Sequence, residues 1–279
     1  MSSSPSSASS RRTASSFISL EGRVSVVTGA SRGIGAAAAL ELAKAGSSVA
    51  LLDVEEKAVE EAAKSIASQT GATTRAYACD VADREAIRRI VGKVAADFGA
   101  IDHLINNAGV QFISPIESFP DEKWDFVRSI DLDGVFNMTK AVWPHLVARK
   151  RGRIVNLASV QGIIASVYKA AYVASKHGVI GLTQATALEG ATLGITANAV
   201  CPGAVLTELV KNQAPDLAKS YGGGISEEEA MARAFLDKMP TQRFIMPEEI
   251  AQLITYLCTD AARSITGAAI AIDGGWTAH

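Results

Sequence analysis

The chain has 279 residues, with 27 Lys and Arg against 29 Asp and Glu, for a formal net charge of −2. Apolar residues make up 48% and charged residues 20%, as in ordinary globular domains. That balance argues against nucleic acid or an anionic membrane surface as a partner, and no apolar run reaches the roughly 18 residues of a membrane span.

The sequence opens on MSSSPSSASSRRTASS, which is rich in Ser and has Arg11 and Arg12 but no acid. Such a stretch cannot bury a core, so residues 1–20 are expected to be a disordered tail ahead of one domain over 21–279. An Arg- and Ser-rich, acid-free start also suits organellar import; otherwise the expected compartment is the cytoplasm. The three cysteines, Cys79, Cys201 and Cys258, are scattered and form no CxxC pair. They read as buried filler in a reducing compartment. None of the four histidines has metal-ligand spacing to another ligand-type residue, so no metal site is expected.

From there apolar runs alternate with Ala-rich helical stretches. VSVVT (24–28) leads to a helix at about 33–46, SVALLD (48–53) to one at 55–69, and TRAYACD (74–80) to one at 83–98. HLINNAG (103–109) precedes a long helical region at 121–148, and RIVNLAS (153–159) precedes a helix at 170–191. ITANAVCPG (195–203), a polar stretch, a helix at 247–259 and AAIAIDGG (268–275) complete the chain. The strands are continuous rather than alternating apolar runs, as in a parallel sheet covered on both faces. The expected fold is therefore α/β: one doubly wound Rossmann domain with a central parallel sheet. Ligands of such sheets bind beyond the carboxyl ends of the strands.

The first strand ends in TGASRGIG, where Gly29, Gly33 and Gly35 sit between strand and helix. Glycines there let the backbone approach a pyrophosphate, and the helix start offers free N–H groups. Ser31, Arg32 and Ile34 belong to the same loop. Asp53 ends the second strand; its carboxylate can accept from an adenosine ribose and repel a 2′-phosphate, which favours NAD over NADP. It can equally cap the helix that follows. Arg32 can still serve a phosphate. Asp80 and Val81, ending the third strand, can hold the adenine, or Asp80 can cap the next helix.

Tyr172 and Lys176 form YxxxK within KAAYVASKHG, and a spacing of four puts both on one helix face. A tyrosine, with a reference pKa of about 10, needs lowering to act as acid and base near neutrality, and a neighbouring ammonium does that. Ser159, ending the fifth strand, offers a hydroxyl to a substrate oxygen.

With TGASRGIG, NNAG (106–109), Ser159, Tyr172, Lys176 and CPG (201–203) together, the chain from about residue 21 resembles the short-chain dehydrogenase/reductase family. The resemblance implies an NAD-linked oxidoreductase, usually a homotetramer. Ser159 would orient the substrate oxygen, Tyr172 transfer the proton, and Lys176 lower the tyrosine pKa and bind the nicotinamide ribose. Asn107, Ala108, Gly109, Pro202 and Gly203 would line the cofactor. One departure stands out: IDLDGVF has Asp131 where the family usually has a catalytic Asn. An ionised Asp cannot donate a hydrogen bond, and its charge should raise the pKa of Tyr172. Alternatively the helix is locally displaced and Asp131 only anchors a water.

The finer resemblance, in NNAGVQF, SPIESFPDEKW, QRFIMPEEIA and DGGWTAH, is to the D-3-hydroxybutyrate dehydrogenases of that family. It implies a small hydroxy-acid substrate whose carboxylate meets Gln111, Lys169 and Gln213. Gln161 stands where that subgroup has a His, and Ala204 where a bulky residue usually follows CPG. Residues 205–240, polar and containing YGGG, are expected to form a mobile helical lid; Trp276 can pack against it, or serve equally in the core or in a subunit contact. A reductase of 3-oxoacyl thioesters, a polyol dehydrogenase and a non-catalytic dinucleotide-binding subunit are the competing readings.

Overall fold

In the computed structural model of the chain, which describes residues 18–220 and 224–278, the apolar runs pair into one parallel sheet. The elements in order are β1 (Val24–Thr28), α1 (Gly33–Lys44), β2 (Ser48–Asp53), α2 (Glu56–Thr70), β3 (Thr74–Ala78), α3 (Arg84–Phe98) and β4 (His103–Asn106). They continue with α4 (Asp121–Arg128), α5 (Val135–Arg149), β5 (Gly152–Leu157), α6 (Ala170–Gly190) and β6 (Ile195–Pro202). Last come α7 (Glu208–Lys211), α8 (Ala214–Ser220), α9 (Glu227–Phe235), α10 (Pro247–Cys258) and β7 (Ala269–Ile272).

The strand order is β3-β2-β1-β4-β5-β6-β7, with every pairing parallel. Successive strand residues point to opposite faces. Val27 accordingly joins a core with Leu42 of α1, Val59 of α2 and Ile254 of α10. Its neighbour Val26 joins another with Ile87 of α3 and Met138 and Leu146 of α5. Covering on both sides is what makes the strands apolar throughout. The three cysteines are free thiols buried in this interior. No helix among the described residues is long and apolar enough to cross a membrane.

Because β1 lies between β2 and β4, the chain leaves it in opposite directions, and a crevice opens beyond the carboxyl ends of β1 and β4. β4 stops at Asn106, three residues short of the apolar run. The N–H groups of Asn107 and Ala108 turn away from the ladder and both donate to the Thr28 hydroxyl, at 3.0 and 3.1 Å. β3 and β7 are likewise shorter than the runs that predict them. The long helical region is present, but a π-helical segment, Ser129–Gly134, divides α4 from α5.

Residues 1–17 and 221–223, which hold most of the Ser-rich tail and of YGGG, lie outside the described residues. The packed domain begins ahead of residue 21: Leu20 is buried, and its N–H donates to Ala45 O at 2.8 Å. The segment expected as a lid is helical. Ala214, Met231, Phe235 and Met239 from it are buried in the first core, so its apolar face is docked on the domain.

Candidate active site

The glycine loop is closed from below by Asn107. Its side-chain amide donates to Thr28 O and Gly29 O at 2.9 and 3.0 Å, stapling the ends of β1 and β4 together. Asn107 thus shapes the loop rather than presenting a free amide to a cofactor. Gly35 is required sterically: a Cβ there would fall 2.1 Å from Gly29 O and 2.5 Å from the Asn107 amide nitrogen. Gly29 has φ +61° and lies against Ala108, so it too has no room for a side chain. The Ser31 hydroxyl is buried without a partner. An orphaned hydroxyl in a loop that only glycines can form fits a phosphate-bearing dinucleotide.

Asp53 resolves its two readings in an unexpected way. Its carboxylate accepts from Ser31 N at 3.0 Å and Glu55 N at 3.1 Å, while the N-cap of α2 is Glu55. Asp53 therefore holds the glycine loop and the turn. Arg32 is ion-paired with Glu55, which draws its charge toward an acid. Asp80 does not cap α3. It accepts from Ala82 N at 2.8 Å, and Asp83 is the cap, accepting from Glu85 N and Ala86 N. Val81 is buried and touches the space above Gly134.

Beyond β5 the residues expected to be catalytic converge. Ser159 follows the strand and its hydroxyl accepts from Gln161 N at 3.1 Å. Tyr172 and Lys176 lie one turn apart on α6, with the Lys176 ammonium 5.4 Å from the phenol ring centre. Lys176 is buried and donates to Leu157 O at 2.9 Å. It also pairs with Asp131 Oδ2 at 3.4 Å. An ammonium has three donors, so one remains for a ligand. Asp131, fully buried, accepts from Val110 N at 2.8 Å through Oδ1. Gly109 borders the Asp131–Lys176 pair. The π-helical segment carries Asp131 toward Lys176, so the acid contacts the lysine directly.

Charges in this cluster are coupled. Burial pushes the Asp131 carboxyl up from the usual range, against the pull of Lys176 and Val110 N–H. Burial alone would lower Lys176, but the Asp131 carboxylate and the Tyr172 phenol hold it above its ordinary value. Tyr172 is pushed up by burial; Lys176 and Ser159 pull it down, and Asp131 pushes it up again. Asp131→Asn should therefore lower the pKa of Tyr172 and move the alkaline-activated limb of alcohol oxidation to lower pH. The pH–rate profile of the variant measures this, and an unmoved limb would show that the carboxylate does not reach the tyrosine.

Lys169 is the residue before α6. Tyr168, ahead of it, has φ +66°, a conformation bulky residues rarely adopt. Its carbonyl accepts from Ser114 N at 2.9 Å, so the turn that aims Lys169 is tied to the loop after β4. Lys169 lies 6.0 Å from the ring centre of Phe235. Its pKa falls to about 8, through burial and then the nearby charge of Lys238. Gln161 is buried and its Oε1 has no partner. Gln111 is half-buried on the loop after β4, and Gln213 lies between α7 and α8. Trp276 is buried in the large core cluster that also holds Phe235 and Met239. Pro202 ends β6, and Gly203 N donates to Ile272 O at 3.0 Å.

Sequence reasoning missed three residues here. Thr28 is an ordinary strand residue until its hydroxyl is seen to hold two N–H groups. Tyr168 carries no signal, since nothing marks a Tyr for positive φ. Lys238 sits in a segment read only as lid.

A profile of the short chain dehydrogenase family matches residues 23–218. The D-beta-hydroxybutyrate dehydrogenase of Rhizobium meliloti (strain 1021) is 41% identical over 258 residues, 92% of this chain and 99% of the relative. A 3-oxoacyl-acyl-carrier-protein reductase of Thermotoga maritima is 38% identical, over 92% of this chain and 98% of the relative. The crystal structure of an actinorhodin polyketide ketoreductase with NADPH superposes with a TM-score of 0.87 at 36% identity, covering 92% of this chain and 98% of that one. With the glycine loop, the Ser159–Tyr172–Lys176 cluster and this similarity along the chain, the protein belongs to the short-chain dehydrogenase family of oxidoreductases.

Proposed function

We propose that the protein interconverts D-3-hydroxybutyrate and acetoacetate, with NAD as the hydride partner. The observation that carries the choice of substrate is Lys169. It is a half-buried ammonium one helical turn before Tyr172, with no ion pair to a carboxylate among the described residues. The carboxylate of a short hydroxy acid meets that charge, while a 3-oxoacyl thioester, the substrate class named for the Thermotoga relative, has no free carboxylate to offer. Similarity to the Rhizobium dehydrogenase supports the same reading.

In the oxidation direction the hydroxyl of the acid lies between Ser159 and Tyr172. Tyrosinate accepts the hydroxyl proton while the carbinol hydrogen leaves as hydride. A nicotinamide dinucleotide held at the glycine loop would supply the hydride acceptor, so that one alcohol would yield one ketone, one reduced cofactor and one proton. Lys176 favours tyrosinate by its charge and keeps one donor for the ribose. Ser31, Gly33 and Gly35 would hold the pyrophosphate and Asp53 the adenosine ribose. Asp53, beside Ser31, and Glu55, which engages Arg32, would oppose a 2′-phosphate. That supports NAD over NADP.

The direct test is reduced-cofactor absorbance with D-3-hydroxybutyrate, longer 3-hydroxy acids, polyols and 3-oxoacyl thioesters, each with NAD and with NADP. Better turnover of a polyol or a thioester would sink this reading. Lys169→Ala sharpens it. A charge-assisted hydrogen bond is worth about 1.5–3 kcal/mol, so KM for acetoacetate should rise roughly ten- to hundredfold. The Kd for NADH, measured by fluorescence, should stay close to the parent's; equal losses in both would reject the carboxylate role.

A further inference from the structure

The helices α7, α8 and α9 form one excursion from the sheet, and its two feet stand side by side. Ile245 N donates to Ala204 O at 3.0 Å and Leu206 N to Ile245 O at 2.9 Å, which bridges Val205 and Ile245 in parallel. The outgoing foot also meets the end of β7. Gly203 N donates to Ile272 O at 3.0 Å, and a Cβ on Gly203 would fall 3.0 Å from the Asp273 Cα.

The returning foot meets the turn that follows β7. Thr241 N donates to Gly274 O at 3.2 Å. A Cβ on Gly274 would stand 2.3 Å from Thr241 Oγ1, and one on Gly275 would stand 3.1 Å from the Pro240 ring. The Lys238 ammonium lies 5.3 Å from the ring centre of Trp276, and Met239, next in the chain, is fully buried. Residues 273–277 therefore touch both feet of the excursion.

One carboxylate folds that turn. Asp273 is buried. Its Oδ1 accepts from Gly275 N at 2.9 Å, and its Oδ2 accepts from Thr277 N at 2.8 Å and from the Thr277 hydroxyl at 2.6 Å. Burial pushes the carboxyl up, but the Thr277 and Gly275 donors hold it below its ordinary value. An ionised carboxylate accepts all of these bonds, and bonds to a charged acceptor are the stronger kind. The excursion carries this anchorage toward the site. α9 ends at Phe235, and one 3-10 turn, Leu236–Lys238, joins it to the clamped residues 239–241. The Lys169 ammonium lies 6.0 Å from the Phe235 ring centre, and a ring face limits where such a cation settles.

We propose that Asp273 is a positioning residue: by folding the C-terminal turn it clasps both feet of the α7–α9 excursion, and through Phe235 it fixes the place of the Lys169 ammonium. The link to substrate rests on the reading above, in which Lys169 meets the carboxylate of a hydroxy acid. Asp273 touches neither that acid nor the groups that move the proton. Loosening the clasp lets the excursion open locally, which weakens binding of the acid and leaves the chemical step intact once the complex has formed.

The test compares Thr277→Val, which removes the hydroxyl bonded to Asp273 and keeps the shape, with Thr277→Ser, which keeps the hydroxyl. Asp273→Asn, which loses the charge, is the second variant. The readouts are KM and kcat for acetoacetate reduction, the melting temperature, and the rate at which trypsin cuts the native protein at Lys211 or Arg233, inside the excursion. In Thr277→Val and Asp273→Asn, KM should rise roughly five- to tenfold, the loss of one bond to a charged group, with kcat within about twofold of the parent's. Cleavage should quicken by a similar factor, since it follows the population of the open form. Thr277→Ser should stay near the parent in all of these. A lower melting temperature with parent-like KM and cleavage in both damaging variants would make Asp273 merely structural and overturn the proposal. Equal damage in Thr277→Ser and Thr277→Val, or a fall in kcat at unchanged KM, overturns it as well. If the parent does not reduce acetoacetate, the hydroxy-acid reading falls, while the cleavage rates still decide whether the clasp holds the excursion.

Discussion

Tyr172→Phe should leave a folded protein that binds NADH and turns over almost no substrate. The phenylalanine ring keeps the contact beneath the Lys176 ammonium, 5.4 Å from the ring centre, so packing of α6 changes little. What disappears is the one O–H that faces both Ser159 and Lys176. A positioned acid–base group contributes about a hundred- to ten-thousandfold, and kcat for acetoacetate reduction should fall by that range. NADH affinity should change by less than about threefold, since one lost contact of this kind is worth little when water can replace it. A fall in kcat of under about fivefold would be too small for a positioned proton donor and would assign the proton to another group.

Lys176→Met should strike stability and activity at once. Asp131 Oδ2 has no hydrogen-bond partner besides its pairing with this ammonium, and the carboxylate is fully buried. Removing one member of a buried pair costs about 3–5 kcal/mol, which for a domain of this size lowers Tm by roughly 10 °C. The cost has a definite pH dependence. With Lys176 gone, burial raises the Asp131 pKa further above its unfolded value. The folded state then binds the proton more tightly than the unfolded state, so low pH favours folding and the deficit grows as pH rises above about 4. Thermal melts at about pH 5 and pH 8 should show the larger loss at the higher value. Adding Asp131→Asn should recover most of the stability and none of the activity, because Tyr172 still lacks the cation that lowers its pKa. No recovery in the double variant would mean that Lys176 stabilises the fold mainly through Leu157 O.

Much of this architecture is legible in the sequence because parallel strands buried on both faces cannot hide. Each of the seven apolar runs became a strand in the expected order. The helix of Tyr172 and Lys176 starts at the expected residue, and a spacing of four dictates that the two share a face. The ends of strands were less legible. Whether Asn107 extends a ladder or turns out of it depends on the Thr28 hydroxyl, 79 positions away. Asp53 shows the same limit: an acid after a strand is a cap in one tertiary setting and a loop anchor in another. Lys238 was hidden because nothing in a polar helical stretch marks which lysine will lie over a buried Trp276 ring. The N-terminal tail and the assembly state are matters of composition and family resemblance alone.

The wide turn that interrupts the long helix has a geometric consequence for the whole site. The inward stripe of that helix is Val127, Asp131, Val135, Met138, Val142 and Leu146, all buried. Five revolutions separate its ends, yet a regular α-helix advancing about 100° per residue would overshoot by about 100° over that length. The π-helical stretch absorbs the surplus residue. Without it the two halves of the helix would be out of phase: keeping Met138 and Leu146 in the core would swing Asp131 about a quarter-turn aside, away from Lys176. The electrostatics around the phenol thus depend on the angular bookkeeping of a helix that contributes no other charge to the cluster.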